Sequence, residues 1–431
     1  MKLTIPLIAT ILALLSTSCM AENRKAVPHT SRNGLANTFE KLEAGESVRI
    51  GYLGGSITKQ EGWRVLTQSW IQASYPQSQH VEIEAGVGGT PSALGAFRVQ
   101  QDVLQYAPDL IFIEFAVNDA NTAKQSLRES MEGIVRQIRK ADPRTDICFV
   151  YSISEPYLDQ TQGGTLLANA ANAMEEVADY YGIPSIYMGY EIPILAESGS
   201  LLMKAAKPTT EEQLNNLAGK ILFAPDGVHP YPDTGHPLYF KQIRRALPVF
   251  FKASPIGEHP LPAPLEANNF EDAKMIPLSK LTLEGKWQRL DPSDNSIAKK
   301  VSDRIDELWC ASSPKDYLSF AFKGTYIGVY GIAAPNSGTF DYTIDGTTRS
   351  KTMFDKYCSF ARLNSSILST NLQDTTHTIH INPSNTLPNK ESIMAEGKSF
   401  SDFKENPEKY EQHNLYLNAL LIRGELIENE K

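Results

Sequence analysis

A chain of 431 residues is long for one hydrophobic core and predicts two domains with short appendages. Its hydrophobic share of 41% and charged share of 21% are those of a soluble globular protein. A net charge of −9, with no basic block able to replace counterions, excludes nucleic acid as a partner and argues against an anionic membrane surface.

The chain opens with Lys2 and an apolar run over 3–15, too short to span a bilayer and suited to a secretory signal. Ser16-Thr17-Ser18 then places small residues directly before Cys19, which resembles a bacterial lipoprotein signal with Cys19 as the lipidated mature N-terminus. Ser16 stands where such signals usually carry an aliphatic residue. The expectation is export to the bacterial periplasm or cell surface, with 1–19 as signal peptide, a lipid anchor at Cys19 as the only membrane attachment, and a polar tether over 20–35.

From Val48 onward, short apolar runs alternate with longer helix-compatible stretches. Strands are predicted over 48–53, 81–87, 109–115, 147–153 and 183–187, and helices over 63–75, 94–106, 127–141, 166–181 and 238–251. Trp63, Leu66, Trp70 and Ile71 fall on one helical face, while 109–115 is apolar on both faces of a strand. This alternation predicts βαβ units and a parallel sheet between helix layers, with ligands beyond the carboxyl ends of the strands. The stretch 191–220 shows only helical pieces around Leu195 and Leu214, before an apolar run at 221–224. The first domain is assigned to 36–252.

Pro255, Pro260, Pro262 and Pro264, around Gly257 and His259, then mark a linker assigned to 253–275. Beyond it, over 276–431, apolar and polar residues alternate at 317–322, 325–330, 340–344, 376–381 and 415–422, with a turn signal at Asp345-Gly346. This predicts antiparallel hairpins in an all-β sandwich of jelly-roll type. Tyr326, Tyr330 and Tyr342 are candidates for stacking on sugars, although alternating strand aromatics more often fill a core. A polar stretch over 383–414 is too long for a plain turn.

Cys148, within an apolar strand, reads as a buried thiol; Cys310 and Cys358 share the second domain, where an oxidising compartment makes a disulfide one outcome. No Cys-x-x-Cys or His-Glu-x-x-His occurs, so nothing in the sequence argues for zinc.

The chemistry gathers where apolar runs end. Gly54-Gly55-Ser56 follows the strand at 48–53, and adjacent glycines allow a tight turn that displays the serine hydroxyl and its N–H. Alone, this is an ordinary strand-to-helix turn with serine as cap. A serine becomes nucleophilic only when a base takes its proton and an acid fixes that base's tautomer. Asp226 and His229, three apart after the run 221–224, supply such a pair. Asp233 and His236 repeat the spacing, but His236 opens a predicted helix, whose N-terminus disfavours the imidazolium a general base must become. Asn118 after the strand at 109–115, and Gly89 in Gly86-Val87-Gly88-Gly89-Thr90, are candidate donors to an oxyanion. Pro91 takes the place of the last glycine of a dinucleotide fingerprint, so no nucleotide cofactor is implied.

In order and context, Leu53-Gly54-Gly55-Ser56-Ile57-Thr58, Gly89, Val117-Asn118-Asp119 and Asp226-Gly227-Val228-His229-Pro230 resemble the four blocks of the SGNH (GDSL-like) hydrolases, over about 45–250. The resemblance implies a flavodoxin-like three-layer αβα fold, with Ser56 as nucleophile, His229 as base and Asp226 as orienting acid. It further implies an oxyanion hole from the N–H groups of Ser56 and Gly89 and the Asn118 side chain, with no metal and no organic cofactor. Gly55 stands where the family name carries Asp, Glu84 where asparagine is frequent, and Ala116-Val117 where glycines are common. No G-x-S-x-G elbow surrounds Ser56, which separates the chain from the α/β-hydrolases.

The second domain looks like the β-sandwich modules of secreted carbohydrate esterases. The expectation is a serine esterase removing acetyl or other small acyl groups from an acylated carbohydrate, with the β domain binding sugar or shaping the cleft. The competing readings are a lipase or thioesterase, a carbohydrate O-acyltransferase, and an inactive surface lipoprotein that binds glycans.

Overall fold

The computed structural model describes residues 24–253 and 255–427. The first sheet contains β1 (His29–Thr30), β2 (Val48–Gly54), β3 (His80–Gly86), β4 (Leu110–Glu114), β5 (Asp146–Tyr151) and β6 (Ser185–Tyr187), in the spatial order β1-β6-β5-β4-β2-β3. β2 to β6 are parallel and β1 adds antiparallel to the edge of β6. Counted by themselves, the five parallel strands run in the flavodoxin-like order, whose direction reverses between β2 and β4. In sheets of this kind ligands bind in the crevice outside the carboxyl ends of the strands at such a reversal, here between the loops leaving β2 and β4.

Period-two alternation divides the strand residues between two cores. Ile111, Ile113, Ile147, Phe149 and Tyr151 face one side, beneath α4 (Ser92–Asp102), α5 (Lys124–Ala141) and α6 (Asn169–Tyr181). Leu110, Phe112, Cys148 and Val150 face the other, beneath α1 (Ala36–Ala44), α3 (Trp63–Ser74) and α9 (Gly235–Phe250). Between β2 and α3 lies a single turn, α2 (Ser56–Lys59). The stretch after residue 190 resolves into α7 (Ile192–Glu197), β7 (Leu201–Lys204), α8 (Glu211–Asn216) and β8 (Ile221–Ala224), and β7 and β8 pair in a two-stranded parallel sheet of their own.

The expected tether is not free where it is described. Lys25 bridges Leu166, and β1 extends the main sheet. The half-turn after it buries Arg32, whose guanidinium donates to Glu175 (2.6 Å), Asp179 (2.6 Å) and the Ile183 carbonyl (2.8 Å). The signal segment and Cys19 lie outside the described residues.

The proline-rich segment is likewise pinned rather than loose. Glu132 of α5 accepts the N–H groups of Leu265 (2.5 Å) and Glu266 (2.7 Å), and Arg136 donates to the Pro262 carbonyl (2.8 Å). The second domain begins inside the expected linker, because β9 (Ala273–Pro277) already pairs with the last strand.

The second domain continues through β10 (Leu283–Glu284), β11 (Gln288–Arg289), α10 (Ser296–Val301), β12 (Trp309–Ala311), β13 (Tyr317–Ala333), β14 (Thr339–Ile344), β15 (Thr347–Thr352), β16 (Arg362–Ser369) and β17 (Thr375–Pro383). α11 (Lys390–Ala395) and α12 (Phe400–Glu405) occupy the polar stretch before β18 (Leu415–Ile427). All strand pairs are antiparallel, and β13 organises them. One edge of β13 lies along β18, while its other edge carries β17 over its first half and β16 over its second. Leu318, Phe322, Ile327, Val329, Phe340, Ile381, Leu417 and Leu420 fill the core between these strands. Lys390 ties down the inserted helices, its ammonium donating to the carbonyls of Pro335 (2.9 Å), Tyr410 (2.9 Å) and Gln412 (2.6 Å).

The two domains share one apolar cluster. Phe97 of α4 packs against Tyr326 of β13 and Phe270, with ring centroids 5.0 and 5.8 Å away. Burying a phenylalanine side chain of this kind contributes roughly 1.5–3 kcal/mol. Tyr326 and Tyr330 therefore lie in the interface and Tyr342 in the β core, so none of the three is free to stack on a sugar. Cys310 and Cys358 are both buried free thiols, as is Cys148, and the candidate disulfide is absent.

Candidate active site

β2 ends in a turn that only glycines permit. A Cβ on Gly54 would overlap the Thr58 hydroxyl and approach the Glu114 carbonyl oxygen to 2.7 Å, and one on Gly55 would overlap the Asn118 carboxamide. The chain turns there into α2, whose first residue is Ser56. Its Oγ lies 2.9 Å from Nε2 of His229, and Nδ1 of the same ring lies 2.6 Å from Oδ2 of Asp226. The other carboxylate oxygen, Oδ1, accepts the N–H groups of Val228 (2.9 Å) and His229 (2.8 Å), so the acid fixes both the ring and the loop that carries it. Gly227 adopts a positive φ of 81° between them and packs on Glu155.

Partial burial opposes ionisation of Asp226, but the hydrogen bonds from the His229 side chain and from the two N–H groups outweigh it and hold the carboxyl down at about 2. An ionised carboxylate only accepts, so Nδ1 carries the proton and Nε2 is left to accept from Ser56. Such a chain can draw the serine proton onto the imidazole while the carboxylate stabilises the resulting charge.

The second Asp/His pair is not assembled. Asp233 is exposed and pairs with Lys207 at 2.7 Å. His236 is fully buried, where its Nδ1 accepts the Trp63 N–H at 3.1 Å, and burial, helped by the nearby His229, pushes its pKa down to about 4.

Asn118 follows β4 in a turn closed by the Asp119 N–H on the Phe115 carbonyl (2.9 Å), and its carboxamide rests against Gly55 across the crevice between β2 and β4. Asp119 beneath it is buried and accepts the Ser92 N–H at 3.0 Å, joining this turn to the start of α4. Gly89 lies on the loop after β3 at a φ of 72°, in open space, and its neighbour Gly88 approaches the Ser56 side chain. Ser56, Gly89 and Asn118 thus leave three strand ends on the same side of the sheet. Glu84, the departure in the second block, accepts the Gly86 N–H (2.6 Å) and pairs with Arg304, so this position joins the loop to the second domain.

Sequence reasoning missed two buried charged residues under the site. Arg98 of α4 donates to the carbonyls of Gly54 (2.8 Å) and Ala85 (2.6 Å), locking the ends of β2 and β3 together. Glu114, the last residue of β4, is fully buried, and desolvation lifts its carboxyl to about 7 against the hydrogen bonds it accepts. An acid inside the apolar run 109–115 was the visible signal. A cavity of about 680 Å³ between β3 and residues 302–306 is lined by none of Ser56, Asp226 and His229.

Residues 51–233 match the GDSL-like Lipase/Acylhydrolase family. This domain belongs to that family. A GDSL-like domain with these motifs in order makes the chain an ester hydrolase by class. Its two-domain architecture is also similar to that of a solved two-domain esterase (CEX) active on acetylated mannans. The match has a TM-score of 0.69 at 21% identity, over 92% of this chain and 97% of that one. The same esterase co-crystallized with mannopentaose gives 0.68 at 21% identity, over 93% and 98%. At this identity the likeness is one of fold, and it extends through the β domain. No curated protein sequence matches the chain.

Proposed function

We propose that the protein is a serine esterase that removes small acyl groups, acetyl foremost, from carbohydrate hydroxyls. The observation that carries this reading is the unbroken chain from Ser56 Oγ through His229 to Asp226, at 2.9 and 2.6 Å, beside the β2–β4 crevice of a GDSL-like domain. Ser56 Oγ attacks the ester carbonyl as His229 Nε2 takes its proton. The tetrahedral oxyanion is held by the N–H groups of Ser56 and Gly89 and the Asn118 carboxamide. His229 then protonates the departing sugar oxygen, leaving an acetyl-Ser56 ester. Water attacks that ester with His229 again as base, which releases acetate and restores the serine.

Carbohydrate as substrate is supported by a fold shared across both domains with an esterase active on acetylated mannans. The side chains of His229 and Asp226 are 39% and 36% exposed, which suits an acyl group presented on a bulky hydrophilic polymer. Acetate release from a panel of acetylated glycans, measured for wild type and Ser56→Ala, tests the proposal. Release from at least one glycan by wild type alone is expected. Preference for long-chain acyl esters would instead indicate a lipase or thioesterase, and product only with a sugar acceptor an acyltransferase.

Export with a lipid on Cys19 belongs to the same proposal and rests on the apolar run over 3–15 ending in Ser16-Thr17-Ser18-Cys19. Metabolic labelling with a fatty-acid probe in a bacterial host is expected to mark the wild type and not Cys19→Ser; equal labelling of the two would sink the assignment.

A further inference from the structure

Ser56 sits at the start of a helix only four residues long, from Ser56–Lys59. One turn of helix does not hold its own geometry in water, because it fixes several dihedral angles for very few hydrogen bonds. Something outside α2 must set the direction of the Ser56 hydroxyl and N–H.

The group that meets this need is the Glu114 carboxyl. Thr58 Oγ1, two residues after Ser56, donates to its Oε2 at 3.0 Å, and the N–H of Gly55, the residue before Ser56, faces the same carboxyl and favours its ionised form. The turn that carries the nucleophile is thus tied to one side chain at Thr58, and the N–H on the other side of Ser56 faces that same carboxyl. The other oxygen, Oε1, accepts from the hydroxyl of Ser152, just beyond β5. Glu114 also stands opposite Gly54 in the β2–β4 register, and four residues after it comes Asn118. One fully buried side chain therefore joins the loops leaving β2, β4 and β5 directly beneath the crevice.

Resting on the serine-esterase reading, we infer that Glu114 is a positioning residue: it holds the Gly55-to-Thr58 turn so that Ser56 meets His229 on one side and the Asn118 carboxamide on the other. It touches no substrate. Its effect passes through the Gly55 N–H and the Thr58 hydroxyl, and a displacement of about 1 Å at a reacting group is enough to cost on the order of 100-fold in rate.

The test uses the full chain, an aryl acetate and a fluorophosphonate. Glu114→Leu keeps the bulk but accepts nothing. It is expected to lower kcat about 30- to 100-fold with KM within about 2-fold, and to slow labelling of Ser56 by the same factor. Glu114→Gln keeps an acceptor for the Gly55 N–H and can satisfy both hydroxyls, so it should restore kcat to within about 5-fold of wild type. Thr58→Val should lower kcat by several-fold alone and add no further loss to Glu114→Leu, because both act through one bond. If Glu114→Leu fails to fold, Thr58→Val carries the test, with lowered kcat at unchanged KM expected from a variant still folded at the assay temperature. A folded Glu114→Leu with wild-type kcat and labelling overturns the inference, as does a loss of kcat matched by an equal rise in KM or not rescued by glutamine. Wild type that neither turns over the ester nor labels would remove the esterase reading and this one together. Wild type doing both, with the Glu114 variants unchanged, would remove this one alone.

Discussion

Replacing Ser56 with alanine is expected to abolish fluorophosphonate labelling and to lower acetate release by roughly 10⁴- to 10⁶-fold, the scale on which serine hydrolases lose turnover when the nucleophile is removed. His229→Ala should fall as far, because the proton of Ser56 Oγ, which lies 2.9 Å from Nε2, then has no acceptor. The two losses should not add in the double variant, since nucleophile and base act as one unit. His236→Ala separates the two histidines. That ring is buried, held neutral, and occupied by the Trp63 N–H. Removing it should leave labelling of Ser56 intact and lower stability by about 1–3 kcal/mol, the cost of an unpaired buried N–H. Thermal unfolding and labelling measured on the same samples distinguish these outcomes. An active His229→Ala beside an inactive His236→Ala would reverse the assignment of the two Asp/His pairs.

The candidate site residues were legible as one constellation because each stands just past an apolar run, and in a parallel sheet those ends converge. Ser56 follows β2, Asn118 follows β4, and Asp226 follows β8. β8 itself was misleading, since it pairs with β7 outside the main sheet, yet its exit still delivers His229 to the crevice. The stretch from Ile192 to Asn216 was not legible because its elements are four to six residues long, shorter than a helical or strand period needs to declare itself. The apparent tether failed for another reason. Its arginines pair with Glu175 and Asp179 of α6, of which Glu175 is buried, and composition does not distinguish a solvated arginine from Arg32 held by Glu175. Tyr326 and Tyr330 alternate as strand residues should, but period two fixes only a shared face, and whether water or α4 covers it depends on a domain about 230 positions away. Glu114 was visible as an acid in an apolar run, and only the turn folded onto it gives that acid a purpose.

Asp226→Asn carries the other large expected effect. In the native site the ionised carboxylate accepts from Nδ1–H at 2.6 Å, which leaves Nε2 free to take the Ser56 proton. An asparagine amide turned toward the ring donates instead, and the imidazole answers with the opposite tautomer, its proton on Nε2 facing Ser56 Oγ. Neither geometry nor fold need change, yet the base is already protonated where it must accept. The expected result is a fall in kcat of about 10³- to 10⁴-fold with little change in KM. The pH dependence separates this from loss of structure. Because the folded Asp226 carboxyl is held down at about 2, below the ordinary aspartate value, its stabilising contribution is fully present above about pH 4 and is lost only as pH falls toward 2. Asp226 therefore remains ionised throughout the neutral and mildly acidic range, and any loss of wild-type activity on acidification through that range comes from another group. Asp226→Asn should accordingly be slow at every pH above 4, and an Asp226→Asn enzyme that regains wild-type kcat at any pH in that range would show that the carboxylate does not set the tautomer of His229.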